Sequence, residues 1–193
     1  MVILGIDPAL VITGYGAIQV RNNAITLVEA GIIKTSADEA VEQRLDKIYR
    51  GISKLIIDTK PACLVLEKIY SHYRHPVTSY ILGQARGVIC LASAREKVPL
   101  IEYGATRVKK AIVGNGLASK AQVQRMVAGL LGLEQLPRYN DVTDALALAI
   151  AHSYIMKATR FENRHCERPK GAKQSQKHDC FVGLRPPRND LSV

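Results

Sequence analysis

No apolar run in this 193-residue sequence approaches the ~20 residues that a helix needs to cross a bilayer, so no membrane association is expected. The opening stretch, MVILGIDPAL, lacks a basic leader and a long apolar segment ahead of a small-residue cleavage site. It does not resemble an export signal, and the cytoplasm is the expected compartment. Cysteine is scarce. Cys63, Cys90, Cys166 and Cys180 read as reduced thiols rather than a disulfide framework, and the first two sit within apolar runs where they contribute packing. No internal repeat divides the chain, whose length suits one substantial core and falls short of two full domains.

Hydrophobic residues make up 47% of the sequence and are spread along it, as in a globular protein. The formal net charge is +10, which points to a polyanionic partner without naming it. Residues 1–156 hold 18 Lys and Arg against 13 Asp and Glu, and residues 157–193 hold nine against four. Each part is therefore +5, and the last fifth of the chain holds half of the excess. Within the body, residues 68–125 contain ten basic residues, among them Arg74, Arg86, Lys109, Lys110 and Lys120, against only Glu96 and Glu102. That stretch is the candidate phosphate-contacting surface, although any single one of these cations could simply solvate a helix face.

Strand patterns come first: residues 2–6, 12–20 and 24–34, with turns at 7–11 and 21–23, predict an antiparallel meander. Ser36 and Glu39 have capping-box spacing ahead of a helix through Val41, Leu45, Ile48, Ile52 and Leu55, which Pro61 closes. CLVLE at 63–67 reads as a buried strand, followed by a helix over 78–97 and a strand over 98–102. Helices are expected near 105–113, 120–131 and 141–157, with Ser119 plus Gln122, and Asn140, as caps. The result is a mixed α/β sheet with helices on its faces. Beyond Lys157 the pattern fails, and residues 158–193 read as a basic, disordered extension to a domain spanning 1–157.

Four carboxylates stand at the ends of apolar elements, where an uncompensated charge is costly. Asp7 follows VILGI, Glu67 ends CLVLE, and Asp141 and Asp144 are spaced i, i+3 at a helix start, so they share a face. If the two strands are neighbours and the helix crosses their ends, all four meet. Such a cluster repels itself unless a cation holds it, and oxygen donors suit a hard ion such as Mg²⁺. Two such ions form a known clamp for phosphodiester hydrolysis. The bland alternative is that Asp7 caps a turn, Glu67 pairs with a lysine, and the two later acids complement a helix dipole.

LGIDPA with TGYG, LVLEKIY, LGQARG, VKKAIVGNGLASKAQV and NDVTDALALAIAH occur in that order over residues 1–156. Together they resemble the successive signature blocks of the RuvC family of junction resolvases. The resemblance implies an RNase H-like fold: a mixed five-stranded sheet, with a three-stranded antiparallel meander plus two parallel strands, flanked by helices. It implies a homodimeric endonuclease that cuts four-way (Holliday) junction DNA with Mg²⁺ or Mn²⁺, two ions per site. It also implies partnership with the RuvA and RuvB branch-migration complex. By motif position, Asp7, Glu67, Asp141 and Asp144 match the catalytic, metal-holding acids, with Asp7 bridging the ions and Asp144 a ligand or water-orienting base. Lys109 and Lys120 match basic residues near the scissile phosphate. Tyr70 stands where an aromatic side chain stacks at the opened junction, unless it is simply half buried.

The sequence departs from the family pattern in places. Ala9 replaces a glycine after Asp-Pro, which alters a turn that tolerates positive φ. Residues 71–81 are unusual, and Pro76 is expected to distort or delay the helix that follows. The extension is a further departure; His165, Cys166, His178 and Cys180 within it fit no common zinc module. His152 could approach Asp144, but a core histidine is the plainer reading. Two rival classes remain. One is a different RNase H-like nuclease or a phosphotransferase of the sugar-kinase architecture, which needs two such domains. The other is a basic architectural DNA-binding protein.

Overall fold

The computed structural model describes residues 1–68 and 76–166. Tyr70 and Arg74 fall outside that range, as does the chain after residue 166. Strands β1 (Val2–Asp7), β2 (Ile12–Arg21) and β3 (Ala24–Lys34) form the expected meander. Asn22 and Asn23 close its second hairpin with φ of 48° and 68°, the left-handed region that Asn tolerates and a two-residue turn requires. Helix α1 (Val41–Thr59) leads to β4 (Cys63–Glu67), α2 (Pro76–Arg95) to β5 (Leu100–Tyr103), and α3 (Ala105–Val113), α4 (Lys120–Leu131) and α5 (Asn140–Cys166) complete the order. The sheet runs β3-β2-β1-β4-β5, with β1, β4 and β5 mutually parallel and β2 antiparallel to both its neighbours.

Alternation along the central strands divides the interior in two. Leu4 and Ile6 of β1 and Leu64 and Leu66 of β4 pack with Ile48, Ile52, Ala85 and Ile89 of α1 and α2. Ile3, Cys63 and Val65 point the other way, into a core with Val108, Val123, Leu146 and Ile150 of α3, α4 and α5. The period of two then carries Asp7 and Glu67 to the α5 side, each one residue past the Ile6–Leu66 pair.

Glycine sets how closely α5 lies on that side. A methyl group added at Gly5 would overlap the carbonyl of Ala145, and one at Gly14 would overlap the backbone of Asp141. At Gly16 it would strike the Leu146 side chain. Gly14 pairs with Asp7 across β1 and β2, so the first turn of α5 rests directly beside Asp7.

Four local expectations change. Ser36 and Glu39 do not cap α1. The Ser36 amide donates to Glu39 Oε2 at 3.3 Å in a turn, and the helix starts only at Val41, five residues after Ser36, with Ala40 as an uncapped N-terminal neighbour. Pro76 neither distorts nor delays α2 but begins it, because a fixed φ and a missing N–H suit a first helical position. Helix α5 continues nine residues past Lys157, through a stretch free of Gly and Pro, since backbone bonding propagates without an apolar stripe. Asn140 opens α5, and its side-chain oxygen accepts from Gln124 Nε2 at 2.9 Å rather than standing outside the helix as a cap.

Gly5→Ala is expected to lower stability by about 1–3 kcal/mol, because rigid backbone must move. Gly129→Ala, in α4 with open space at its Cβ, is expected to raise it by about 0.5–1 kcal/mol. Urea melts of the two variants check both signs; equal effects would contradict the close-packing account.

Candidate active site

Asp7 is half-buried at the end of β1, and the turn after it is tied down by side chains. Thr13 Oγ1 donates to the Ala9 carbonyl at 2.6 Å, and Thr35 Oγ1 donates to the Leu10 carbonyl. Arg44, buried in α1, donates from Nε to Thr35 Oγ1 at 3.1 Å and from Nη2 to the Leu10 carbonyl at 3.2 Å. Ala9 is not among the described residues with positive φ, so replacing glycine there creates no backbone strain, contrary to expectation. Sequence reasoning missed Arg44. The signal was available, because Arg44 falls three residues after Val41 and four before Ile48, on the apolar stripe of its helix.

The four acids converge electrostatically. The Asp7 carboxyl is pushed up from 3.8 to about 7, first by burial and then by Asp144, Asp141 and Glu67, with Lys120 opposing. Glu67, at the open end of a buried strand, is also raised by burial and then by Asp144, while Lys109 and Lys120 draw it down. The two lysines come from neighbouring helices. Ser119 and Gln122 form the expected capping box, with bonds of 2.8 and 3.3 Å, and this fixes Lys120 as the first residue of α4. Lys120 Nζ reaches Asp144 Oδ2 at 2.6 Å, and that bond leads the causes that raise its own pKa.

Glu67, Lys109, Lys120 and Asp144 line one cavity of about 230 Å³, floored by Val108, Val123, Ala147 and Leu148. The donor chemistry fits a hard divalent cation: burial and then three neighbouring carboxylates disfavour charge on Asp7, and a cation would relieve both. The closure is incomplete, however. Among the described residues, no three His, Cys, Asp or Glu side chains are grouped closely enough to enclose an ion, and Asp144 is held by Lys120 instead.

Other expected residues go elsewhere. Lys110 is exposed on α3, one residue from Lys109. Arg86 is turned inward, its side chain 13% exposed, bonded from Nη1 to the Glu67 carbonyl at 2.7 Å and ion-paired with Glu102. His152 is a core residue, 2% exposed, with Nδ1 2.8 Å from the Tyr103 hydroxyl, and burial lowers its pKa. Cys63 is a packing thiol, its pKa pushed up to about 11 by burial. Among the described residues no helix is long and apolar enough to cross a membrane.

A raised carboxyl pKa destabilises the fold wherever the unfolded chain would be ionised. Without divalent cations, stability should fall as pH rises from about 4 to 7, because folding then requires Asp7 to keep a proton or accept repulsion. Asp7→Asn removes that penalty. Thermal melts in chelator should show Asp7→Asn more stable than wild type at pH 8, by on the order of a few kcal/mol, and no different at pH 3.5. A less stable variant at pH 8 would contradict the crowding of the acids.

Comparison with known proteins shows the family. The family model described as crossover junction endodeoxyribonuclease RuvC matches residues 3–152. The RuvC proteins of Rhodopirellula baltica and Heliobacterium modesticaldum are 42% and 44% identical over 153 and 155 residues, covering 79% of this chain and 86% and 95% of theirs. The solved structure of T. thermophilus RuvC in complex with a Holliday junction substrate is 32% identical, with a TM-score of 0.78 over 82% of this chain and 96% of that one. Sequence agrees over residues 3–152 and fold over 82% of the chain, and the chain belongs to the RuvC family of crossover junction endodeoxyribonucleases.

Proposed function

We propose that this chain is a divalent-metal-dependent endodeoxyribonuclease that resolves four-way DNA junctions by paired nicks, leaving 5′-phosphate and 3′-hydroxyl ends. The observation that supports it most is the convergence of Asp7, Glu67, Asp141 and Asp144 beside Lys120 at the end of the parallel strands. Family membership supplies the substrate class, four-way junction DNA.

Asp7, Glu67 and Asp141 would hold Mg²⁺ or Mn²⁺, two ions per site, with Asp144 a further ligand or the base that orients the attacking water. Bound there, the ions supply positive charge that acidifies water and stabilises the departing oxygen. Lys120 is set by its capping box at the cavity mouth, where its charge offsets that building on the phosphate during in-line attack. Its bond to Asp144 would open as substrate and cation enter, which frees the carboxylate for its own role. Lys109 and Lys110 extend the positive surface along α3. Tyr70 and Arg74 complete the proposed contacts with the opened junction.

Paired nicking needs two sites. Tyr80, Ile81 and Leu91 of α2 expose 69%, 38% and 52% of their surface, an apolar face suited to a second copy of the chain. A two-fold dimer built on it presents two sites to symmetric strands. Coupling to RuvA and RuvB, a cytoplasmic setting, and a division into a nuclease domain over 1–157 with a basic extension rest on the family resemblance and the composition of the chain.

With a synthetic four-way junction, Asp7→Asn is expected to bind as wild type does and to cut none of it. Lys120→Ala is expected to retain binding and lose about 10²–10³-fold in cutting rate. Gel-shift and cleavage assays with and without Mg²⁺ check both. Metal-independent cutting, or full cutting by Asp7→Asn, would overturn the proposal, and binding with no cutting under any metal would favour an architectural DNA-binding protein.

A further inference from the structure

Arg86 was expected to contact phosphate, but its guanidinium, carried on α2, is already engaged on two strands at once. It projects from α2, donates through Nη1 to the main-chain carbonyl of Glu67 at the end of β4, and pairs through Nη2 with Glu102 on β5. With 13% of its side chain exposed, it has little surface left to offer DNA. The place it grips is where strand pairing runs out. Pairing of β4 with β1 stops at Ile6–Leu66, whereas pairing with β5 continues to Glu67–Tyr103 and to the Lys68 amide on the Tyr103 carbonyl at 2.8 Å. Glu67 thus has a paired strand neighbour on the β5 side only.

We infer that Arg86 is a positioning residue for Glu67, fixing the main chain at the end of β4 so that the carboxylate faces Asp7 and Asp144. The inference deepens the proposed function and rests on its assignment of Glu67 as a metal-holding acid. A planar guanidinium can serve a carbonyl and a carboxylate together, whereas a lysine ammonium lacks the fork. Glu102 has a matching part: it keeps the guanidinium oriented toward the Glu67 carbonyl. Residues that orient a metal-holding group without touching the ion commonly change metal affinity 10–100-fold when replaced.

The test uses the full-length chain and titrates Ca²⁺ calorimetrically without DNA, alongside the Mg²⁺ dependence of junction cutting and the salt dependence of junction binding. Arg86→Gln and Arg86→Lys are expected to weaken Ca²⁺ binding and raise the half-saturating Mg²⁺ concentration about 10-fold or more. Junction affinity and its salt slope are expected to stay within about twofold of wild type, since no phosphate contact is lost. Glu102→Gln is expected to shift the metal readouts in the same direction by less, and it keeps the inference testable should the Arg86 variants fold poorly. Unchanged metal readouts would overturn the inference, as would a reduced salt slope with metal affinity intact, which is the signature of a phosphate contact. Glu67→Gln separates the two readings: if it abolishes cutting and metal binding while the Arg86 variants change neither, the site assignment stands and the positioning role falls.

Discussion

Helix α5 can bring two acids to Asp7 because Gly5 and Gly14 put no side chain between their own backbone and that of the helix at Ala145 and Asp141, and Gly16 makes room for Leu146. A helix packed on a sheet normally rides on a layer of side chains, and that layer would hold Asp141 and Asp144 away from the strand ends. Here backbone meets backbone, and the first turn of α5 sits against the residue that pairs with Asp7. The order of strands supplies the rest: β1 and β4 are parallel neighbours, so their carboxyl ends open on one edge.

Burying Asp7 within reach of three other acids works against folding. The fold tolerates the cost because two buried layers, one on each face of the sheet, hold the strands independently of the edge. Arg44, Thr13 and Thr35 then pin the turn beyond Asp7, and the Ser119–Gln122 capping box pins Lys120. Strain of an electrostatic kind is thereby kept at a site where a cation and a polyanion can relieve it, the usual location of perturbed carboxyl groups in enzymes. The lysine bridge to Asp144 partly neutralises the cluster in the absence of either.

Much of this was legible in the sequence where period and spacing suffice. Two apolar runs ending in acids, and acids three apart at a helix start, located the four carboxylates without any knowledge of contacts. The meander, the two later strands and the helices of the second half follow from the same patterns, while the parallel pairing of those strands was implied by the family resemblance. What stayed hidden depends on distance between elements. The glycines of β1 and β2 carry no local pattern that shows what lies against them, yet they set the depth of a helix. Arg86 read as a phosphate contact because its charge was visible and its partners, Glu67 and Glu102, lie 19 residues before it and 16 after it. Ser36 and Glu39 show the limit of a local motif: the spacing was right, but the chain completed a separate turn before the helix began.

The central claim is that acids distant in the chain share divalent cations at one edge of the sheet. Anomalous diffraction from crystals of the full chain grown with Mn²⁺ and a non-cleavable four-way junction measures this directly. The account predicts manganese density bonded to the carboxylates of Asp7 and Glu67 together with at least one of Asp141 and Asp144. Manganese bound elsewhere, with those four side chains free of metal, would contradict it.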